Sequence, residues 1–247
     1  NALIAGLIIM AAALLEKDKY LWAAFCIVFS AYIKLFGIVG FALFLLYPKK
    51  LKSALCSLMW VVVLSAVPLI FISPQQYAVL IKSYLNLLSQ DHAESYGYSV
   101  MGWLNSWFGY AGSKNVVVLI GAAIFMLPFC RVKSYANSAF RALMLASILL
   151  WVVIFNHKAE SPTFVIAIAG VALWFVHGKK SALNITLFAC AFIFASLSPT
   201  DIFPRFVREE FVKPYCLKAV PCIFIWGKII YDLLTCKPSM LTNTLRK

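Results

Sequence analysis

An all-α, multi-pass transmembrane helical bundle is the fold class this sequence predicts, and three observations carry it. Hydrophobic side chains make up 63% of the 247 residues and charged ones 13%, about half the charged share of a soluble domain. Apolar runs of near-membrane length recur from end to end, and a backbone in hydrocarbon must satisfy its hydrogen bonds within helices. The basic residues gather at the ends of those runs and not along one face. The net charge of +13 therefore serves topology and contact with membrane lipids, and nucleic acid is excluded as a partner.

The first apolar run, residues 2–15, stops at Glu16, Lys17, Asp18 and Lys19. The second, residues 20–47, holds 28 residues; as one helix it would measure roughly 42 Å, too long for an upright span and too short for two. Lysines flank both of its ends, so both belong on the inner side. The run is predicted to be a broken or re-entrant helix pair turning near Lys34, Leu35, Phe36 and Gly37, with Lys34 at depth. Residues 54–73 then lead outward. Ser73 as cap, Pro74 at the first helical position and Gln76 in the capping-box place predict a new helix. Its apolar face carries Tyr77, Leu80, Ile81, Tyr84, Leu85 and Leu88, the spacing of an amphipathic helix lying on a membrane.

A long outside segment follows, rich in aromatics, Gly and polar residues. Residues 115–129 return to Arg131 and Lys133, and residues 139–155 go out to the polar island FNHKAESP at 155–162. Residues 163–176 come back in a run of roughly 21 Å, short enough to need extra length at its ends. Residues 182–197 go out, 201–215 stay outside, and 217–234 come in to a basic tail. The chain is thus expected to be a single transmembrane domain over 1–247, with outside loops at about 74–113, 156–162 and 199–216. Thirteen lysines and arginines against three acids fall at the inner ends, and seven against six fall outside. The chain starts at Asn1 with no Met and runs straight into an apolar stretch, the start expected of an N-terminally truncated protein.

The outer side collects the groups that could do chemistry. Polar side chains beside a lateral membrane groove suit a lipid-linked substrate, with cations or His holding a phosphate and a carboxylate handling a hydroxyl proton. His157 and Lys158 are the candidates for the phosphate, and Lys34 joins them if it points up into the outer cavity. Each has a structural alternative: Lys158 as a snorkelling lysine, His157 as a helix-end cap, Lys34 closing the carbonyls of a broken helix. Glu160 is a cavity candidate that could equally pair with Lys158. Arg205 and Arg208 belong to an interfacial helix, residues 203–211, and could meet a headgroup. No GxSxG, Walker or GxGxxG signature is present. Seven cysteines lie scattered, mostly in apolar runs, without metal-ligand spacing. Cys216 and Cys222, if within one helical run, would face different ways. His177 falls on the inner side, so the three histidines cannot share a metal, and a grouping of Asp91, His92 and Glu94 is conceivable but weak. Neither a metal nor a cofactor is called for.

Four stretches in this order resemble the C-terminal, larger part of a known family: NALIAGLIIMAAALLEKDK at the start, YIKLFGIVGFALFLLYPKK with Lys34, the GYSVMGWL loop, and IFNHKAESPTFVIAIAGVALWF. The family is glycosyltransferase family 87 of the GT-C superfamily, the polyprenyl-phosphate-mannose-dependent mannosyltransferase-like proteins. The resemblance implies a GT-C-like bundle and transfer of a hexose, mannose foremost, from a polyprenyl-phosphate sugar donor to a lipid or glycan acceptor. The active face would be extracytoplasmic, in the bacterial plasma (inner) membrane, with the donor phosphate near His157. It also implies a catalytic Asp in a first outside loop preceding Asn1. Where relatives often carry Asn-Gln-Ser-Leu in the long outside loop, this chain has Gly97, Tyr98, Ser99 and Val100, so Ser99 alone carries over as a substrate-cavity candidate. The alternative is a non-enzymatic carrier or flippase of lipid-linked saccharides, which should show inverted repeats and ionisable groups reachable from both faces.

Overall fold

The computed structural model describes residues 1–90 and 96–235. The first helix, α1 (Ala2–Glu16), is apolar almost throughout and is stopped by Lys17 and by Asp18, whose φ of 57° is left-handed. Helix α2 (Tyr20–Ile33) then runs back beside it. At Lys34 the backbone turns extended, and a 3-10 helix over Leu35–Leu46 returns along α2. This is the hairpin the flanking lysines call for. Its close approach depends on glycine: a Cβ at Gly37 would stand 2.6 Å from the Ser30 carbonyl carbon. Because the hairpin returns, Tyr47 comes to the level of Glu16 and its hydroxyl donates to that carboxylate at 2.7 Å.

Helix α3 (Lys50–Ala66) continues through a 3-10 turn at Val67–Ile70, where Pro68 removes a backbone donor. Among the described residues the combined helix, Lys50–Ile70, is the one that is long and apolar enough on its own to cross a membrane. It packs on α2 through Trp60, whose indole donates to the Leu21 carbonyl at 3.0 Å, and it leaves its remaining apolar surface exposed. Helix α4 (Pro74–Gln90) begins with the expected capping box: Gln76 N donates to Ser73 Oγ at 3.3 Å, and Ser73 N to Gln76 Oε1 at 3.1 Å. Its apolar side chains, Leu80, Ile81, Tyr84 and Leu85 among them, stand exposed, as a helix seated on a membrane surface would have them.

The core is formed by α7 (Ser138–Ile154) and α8 (Phe164–His177), which lie antiparallel and bury Phe140, Met144, Ile148, Phe164 and Trp174 completely or nearly so. Gly170 allows their contact, since a Cβ there would meet the Ala146 carbonyl oxygen at 2.9 Å. The short return predicted at residues 163–176 gains length from a 3-10 turn at Ser161–Thr163 and from His177. Helices α5 (Val100–Phe108) and α6 (Lys114–Met126) sit on one flank. On the other, α9 (Ala182–Ala191) runs on through a π-helical stretch, Phe192–Leu197. The segment expected to be an interfacial helix is helical, with α10 (Arg205–Val207) followed by a π turn at Arg208–Val212.

One boundary differs from the sequence reading. The last helix, α11, is Ala219–Thr235 and does not begin at residue 217. Cys216 lies before it with a left-handed φ of 50°, so Cys216 and Cys222 do not share a helical run. Both are buried as free thiols. Lys218 is likewise left on the threshold of the helix.

The helix ends fall into two groups. At one end Glu16, Asp18, Tyr47, Lys49, Tyr135 and Arg141 interlock, and Arg131 Nη1 donates to the Leu233 carbonyl at 2.5 Å. The 97–99 loop, the 156–161 island and residues 215–218 meet at the other.

Candidate functional site

The second end is assembled from three stretches far apart in sequence. Gly97 takes a left-handed φ of 55°, and a Cβ there would stand 2.5 Å from the His157 carbonyl oxygen. Glycine is thus needed for both the turn and the contact. The next residue, Tyr98, donates its N–H to the Ala159 carbonyl at 3.0 Å. Ser99, fully buried, caps α5: its hydroxyl accepts from Gly102 N at 3.2 Å and donates to the Tyr96 carbonyl at 2.6 Å. From the far side of the sequence Cys216 lays its sulfur 3.7 Å from the Gly97 carbonyl, and Trp107 donates to the Tyr215 carbonyl at 2.8 Å.

The island itself is a tight turn after α7. Asn156 Oδ1 accepts from the Lys158 N–H at 2.9 Å, and Asn156 O from the Ala159 N–H at 2.9 Å, so His157 and Lys158 project from its crest. His157 is half-buried and Lys158 exposed. Burial, and then the positive charge of Lys114, hold the His157 imidazole below its ordinary pKa. Its ring is therefore neutral at pH 7. Lys114 also reaches over the Tyr96 ring, 4.6 Å from its centroid.

Two groups here were not among the sequence candidates: Lys114 and Lys218. Lys218 is 2% exposed. Its ammonium donates to Ser161 Oγ and lies 5.7 Å from the Tyr98 ring centroid and 5.8 Å from that of Phe164. Burial pushes its pKa down to about 8, so it still carries its proton at neutral pH. The local signal was faint: a lone lysine between Leu217 and Ala219, four residues after Pro214 and with no acid beside it.

The other sequence candidates lie around this centre. Glu160 is exposed and starts the Ser161–Thr163 turn. Arg208 Nη1 donates to the Pro199 carbonyl at 3.3 Å, while Arg205 and Arg208 together hold Glu209 low after its first partner, Lys213. Lys34 is exposed at the hairpin tip, 5.7 Å from the Phe36 ring centroid; among the described residues no contact joins it to His157. Asp91, His92 and Glu94 lie outside the described residues.

Below the island an apolar groove of about 420 Å³ opens between α5, α6 and α11, lined by Val100, Leu104, Val117, Gly121, Phe155 and Trp226 among others. Phe155 is two residues from His157. Val116 likewise follows Lys114 by two residues, so the chain leads from the groove's apolar wall to the polar cluster at two points.

A helical bundle with an apolar exterior, one helix long and apolar enough to cross a membrane and a polar end is a membrane-associated protein. The chain belongs to glycosyltransferase family 87, whose model matches residues 1–156. It is accordingly a glycosyltransferase, acting on a sugar donor and an acceptor. No curated protein and no solved structure matches it. The family match ends at Asn156, so the loop 97–99 and Lys114 lie within it and His157, Ser161 and Lys218 beyond.

Proposed function

We propose that this transferase spans the bacterial plasma membrane several times and works on the extracytoplasmic side. There it moves a hexose, mannose foremost, from a polyprenyl-phosphate donor to a lipid or glycan acceptor. The observation that carries this reading is an apolar groove of about 420 Å³ whose lining residues Phe155 and Val116 stand two positions from His157 and Lys114 in the chain. An isoprenoid chain matches the groove and a phosphate matches the cations.

The chemistry such an end can supply is electrostatic. An acceptor hydroxyl attacks the anomeric carbon, the bond from that carbon to the phosphate oxygen breaks, and polyprenyl phosphate leaves with added negative charge. Cations and hydrogen-bond donors fixed at that oxygen stabilise the transition state more than the ground state. Lys158 supplies charge and the neutral His157 ring a hydrogen-bond donor, which becomes a second charge if it takes up a proton. Lys34, on the same side of the bundle, faces the donor from the hairpin tip. Ser99 holds the wall of the cavity by capping α5, and Glu160, Arg205 and Arg208 border its entrance. The acceptor's proton passes to a carboxylate base.

The test is an assay of the full-length protein in nanodiscs with labelled polyprenyl-phosphate mannose, and the glucose analogue, against lipid and glycan acceptors. Transfer of label is the expected result. Neither transfer nor donor binding would end the reading. Label that crosses a vesicle membrane chemically unchanged would point to the carrier instead.

A further inference from the structure

Lys218 stands out among the cations of this chain. Lys49, Arg141, Lys213 and Lys228 each meet a carboxylate: Asp18, Glu16, Glu209 and Asp232 respectively. All four have side chains at least 17% exposed. Lys218 is 2% exposed, yet among the described residues it has no ion pair. Its polar partner is the neutral Ser161 hydroxyl, and its walls are the Tyr98 and Phe164 rings. It also immediately precedes α11, a helix of 17 residues, whose N-terminus carries positive partial charge of its own. A buried cation without a counter-ion is destabilising. Packing alone would be served better by an apolar side chain. A buried ammonium whose polar partner is a neutral hydroxyl has an evident use: it attracts an anion.

We propose that Lys218 is a donor-binding residue, a deep anion-binding point under the 156–161 island that receives an oxygen of the phosphate group on a lipid-linked sugar. The assignment rests on the donor reading above. Position favours it. Ser161 belongs to the island that carries His157 and Lys158, and Tyr98 is tied to that island through the Ala159 carbonyl at 3.0 Å. A phosphate under the island would meet Lys218 from below and His157 with Lys158 from above. It would also give Lys218 the ion pair that no carboxylate among the described residues provides.

The experiment uses the full-length protein in neutral-lipid nanodiscs, with farnesyl phosphate and inorganic phosphate as probes. Lys218→Met keeps the volume of the side chain and removes its charge. Under the proposal the variant melts at the same temperature as wild type or higher without ligand, while its affinity for farnesyl phosphate falls at least tenfold. A lower melting temperature with unchanged affinity would make Lys218 a pin for Ser161 and overturn the assignment. A second measurement is independent of whether the variant folds. In wild-type protein with isotope-labelled lysine, the Lys218 resonance should titrate at least one pH unit higher once farnesyl phosphate is bound, because an anion favours the charged form. An unmoved midpoint rejects the proposal. The same midpoint shift with inorganic phosphate, and no tighter binding of farnesyl phosphate, would mean that the site recognises free phosphate and would overturn the lipid-linked assignment. The two readings fail separately. Farnesyl phosphate bound through Lys218 without sugar transfer sinks the donor reading, and transfer by Lys218→Met at an unchanged donor KM sinks the role of Lys218.

Discussion

Glu16 takes both arms of the Arg141 guanidinium, Nε and Nη2 each at 2.6 Å, and so fastens the end of α1 to the first turn of α7. Tyr47 adds a hydrogen bond to the same carboxylate at 2.7 Å, and Arg141 Nη1 reaches the Tyr135 carbonyl at 2.6 Å. Burial raises the Glu16 pKa, but the hydrogen bonds from Arg141 and Tyr47 outweigh it and hold the group below its ordinary value. A carboxyl lowered in the folded state stabilises fully above its unfolded pKa, about 4.5, and loses that contribution as pH falls through the folded value. Arg141→Gln is expected to lower stability by about 1–2 kcal/mol near neutral pH, an amount limited by solvent at this partly exposed pair. The difference from wild type should shrink below pH 4. Arg141→Lys should recover less than half, because a point charge cannot span both oxygens. Thermal unfolding from pH 3.5 to 7 measures all three.

Gly97 and Gly109 make a controlled comparison, with φ of 55° and 64°. An alanine at either position incurs the left-handed backbone cost, about 1 kcal/mol. Only at Gly97 does the new Cβ also strike a neighbour, the His157 carbonyl oxygen. Gly109→Ala should therefore leave sugar transfer near wild type, whereas Gly97→Ala should displace the island and reduce transfer tenfold or more. Transfer rates beside melting temperatures separate the two; equal losses would show that the 97–157 contact does not matter to the site.

The hairpin offers a similar test of packing. A Cβ at Gly37 would lie 2.6 Å from Ser30 backbone atoms, while one at Gly6 meets nothing within 4 Å. Gly37→Ala is expected to destabilise by about 3 kcal/mol or to open the hairpin, since backbone cannot yield as a side chain does. Gly6→Ala, in the middle of α1, should be neutral or mildly stabilising through helix propensity. Denaturation in detergent gives the comparison.

His157→Ala should weaken donor use while leaving expression intact. The ring's pKa is lowered by burial and by Lys114. Between its folded and ordinary values the unfolded chain binds more protons, so the free protein loses stability as pH falls below about 6.5. A bound phosphate reverses the sign by favouring the imidazolium. Wild-type affinity for farnesyl phosphate should thus rise several-fold between pH 7.5 and 6, beyond the change in His157→Ala. Parallel pH profiles for the two proteins would remove His157 from the phosphate site.

Local grammar in the sequence was readable where neighbours decide the outcome. Ser73, Pro74 and Gln76 announce α4 because a capping box closes within four residues. The lysines around residues 20–47 announce the hairpin because one chain length cannot satisfy both flanks otherwise. The His157 island showed itself by polarity in an apolar context. Other features were hidden because their partners are distant. Glu16 and Arg141 lie 125 positions apart, Gly97 and Cys216 lie 119 apart, and Lys218 reads as an ordinary flanking lysine until Tyr98 and Phe164 close around it. Burial is a property of the assembled bundle, and no window of sequence contains it.

The hairpin tip has an electrical consequence. Lys34 sits at the far end of α2, whose 14 residues place it roughly 21 Å from the basic end. With the bundle seated as proposed, that is about two-thirds of the way across a hydrocarbon layer of about 30 Å. A membrane potential negative on the basic side therefore acts on this charge over most of its drop, at about 1.5 kcal/mol per 100 mV. If Lys34 serves the donor as proposed, the energised membrane pulls it away from the outer cavity and an arriving phosphate pulls it back. Donor affinity in this enzyme should consequently respond to voltage, and Lys34→Gln should reduce that response in vesicles whose potential is set by a potassium gradient.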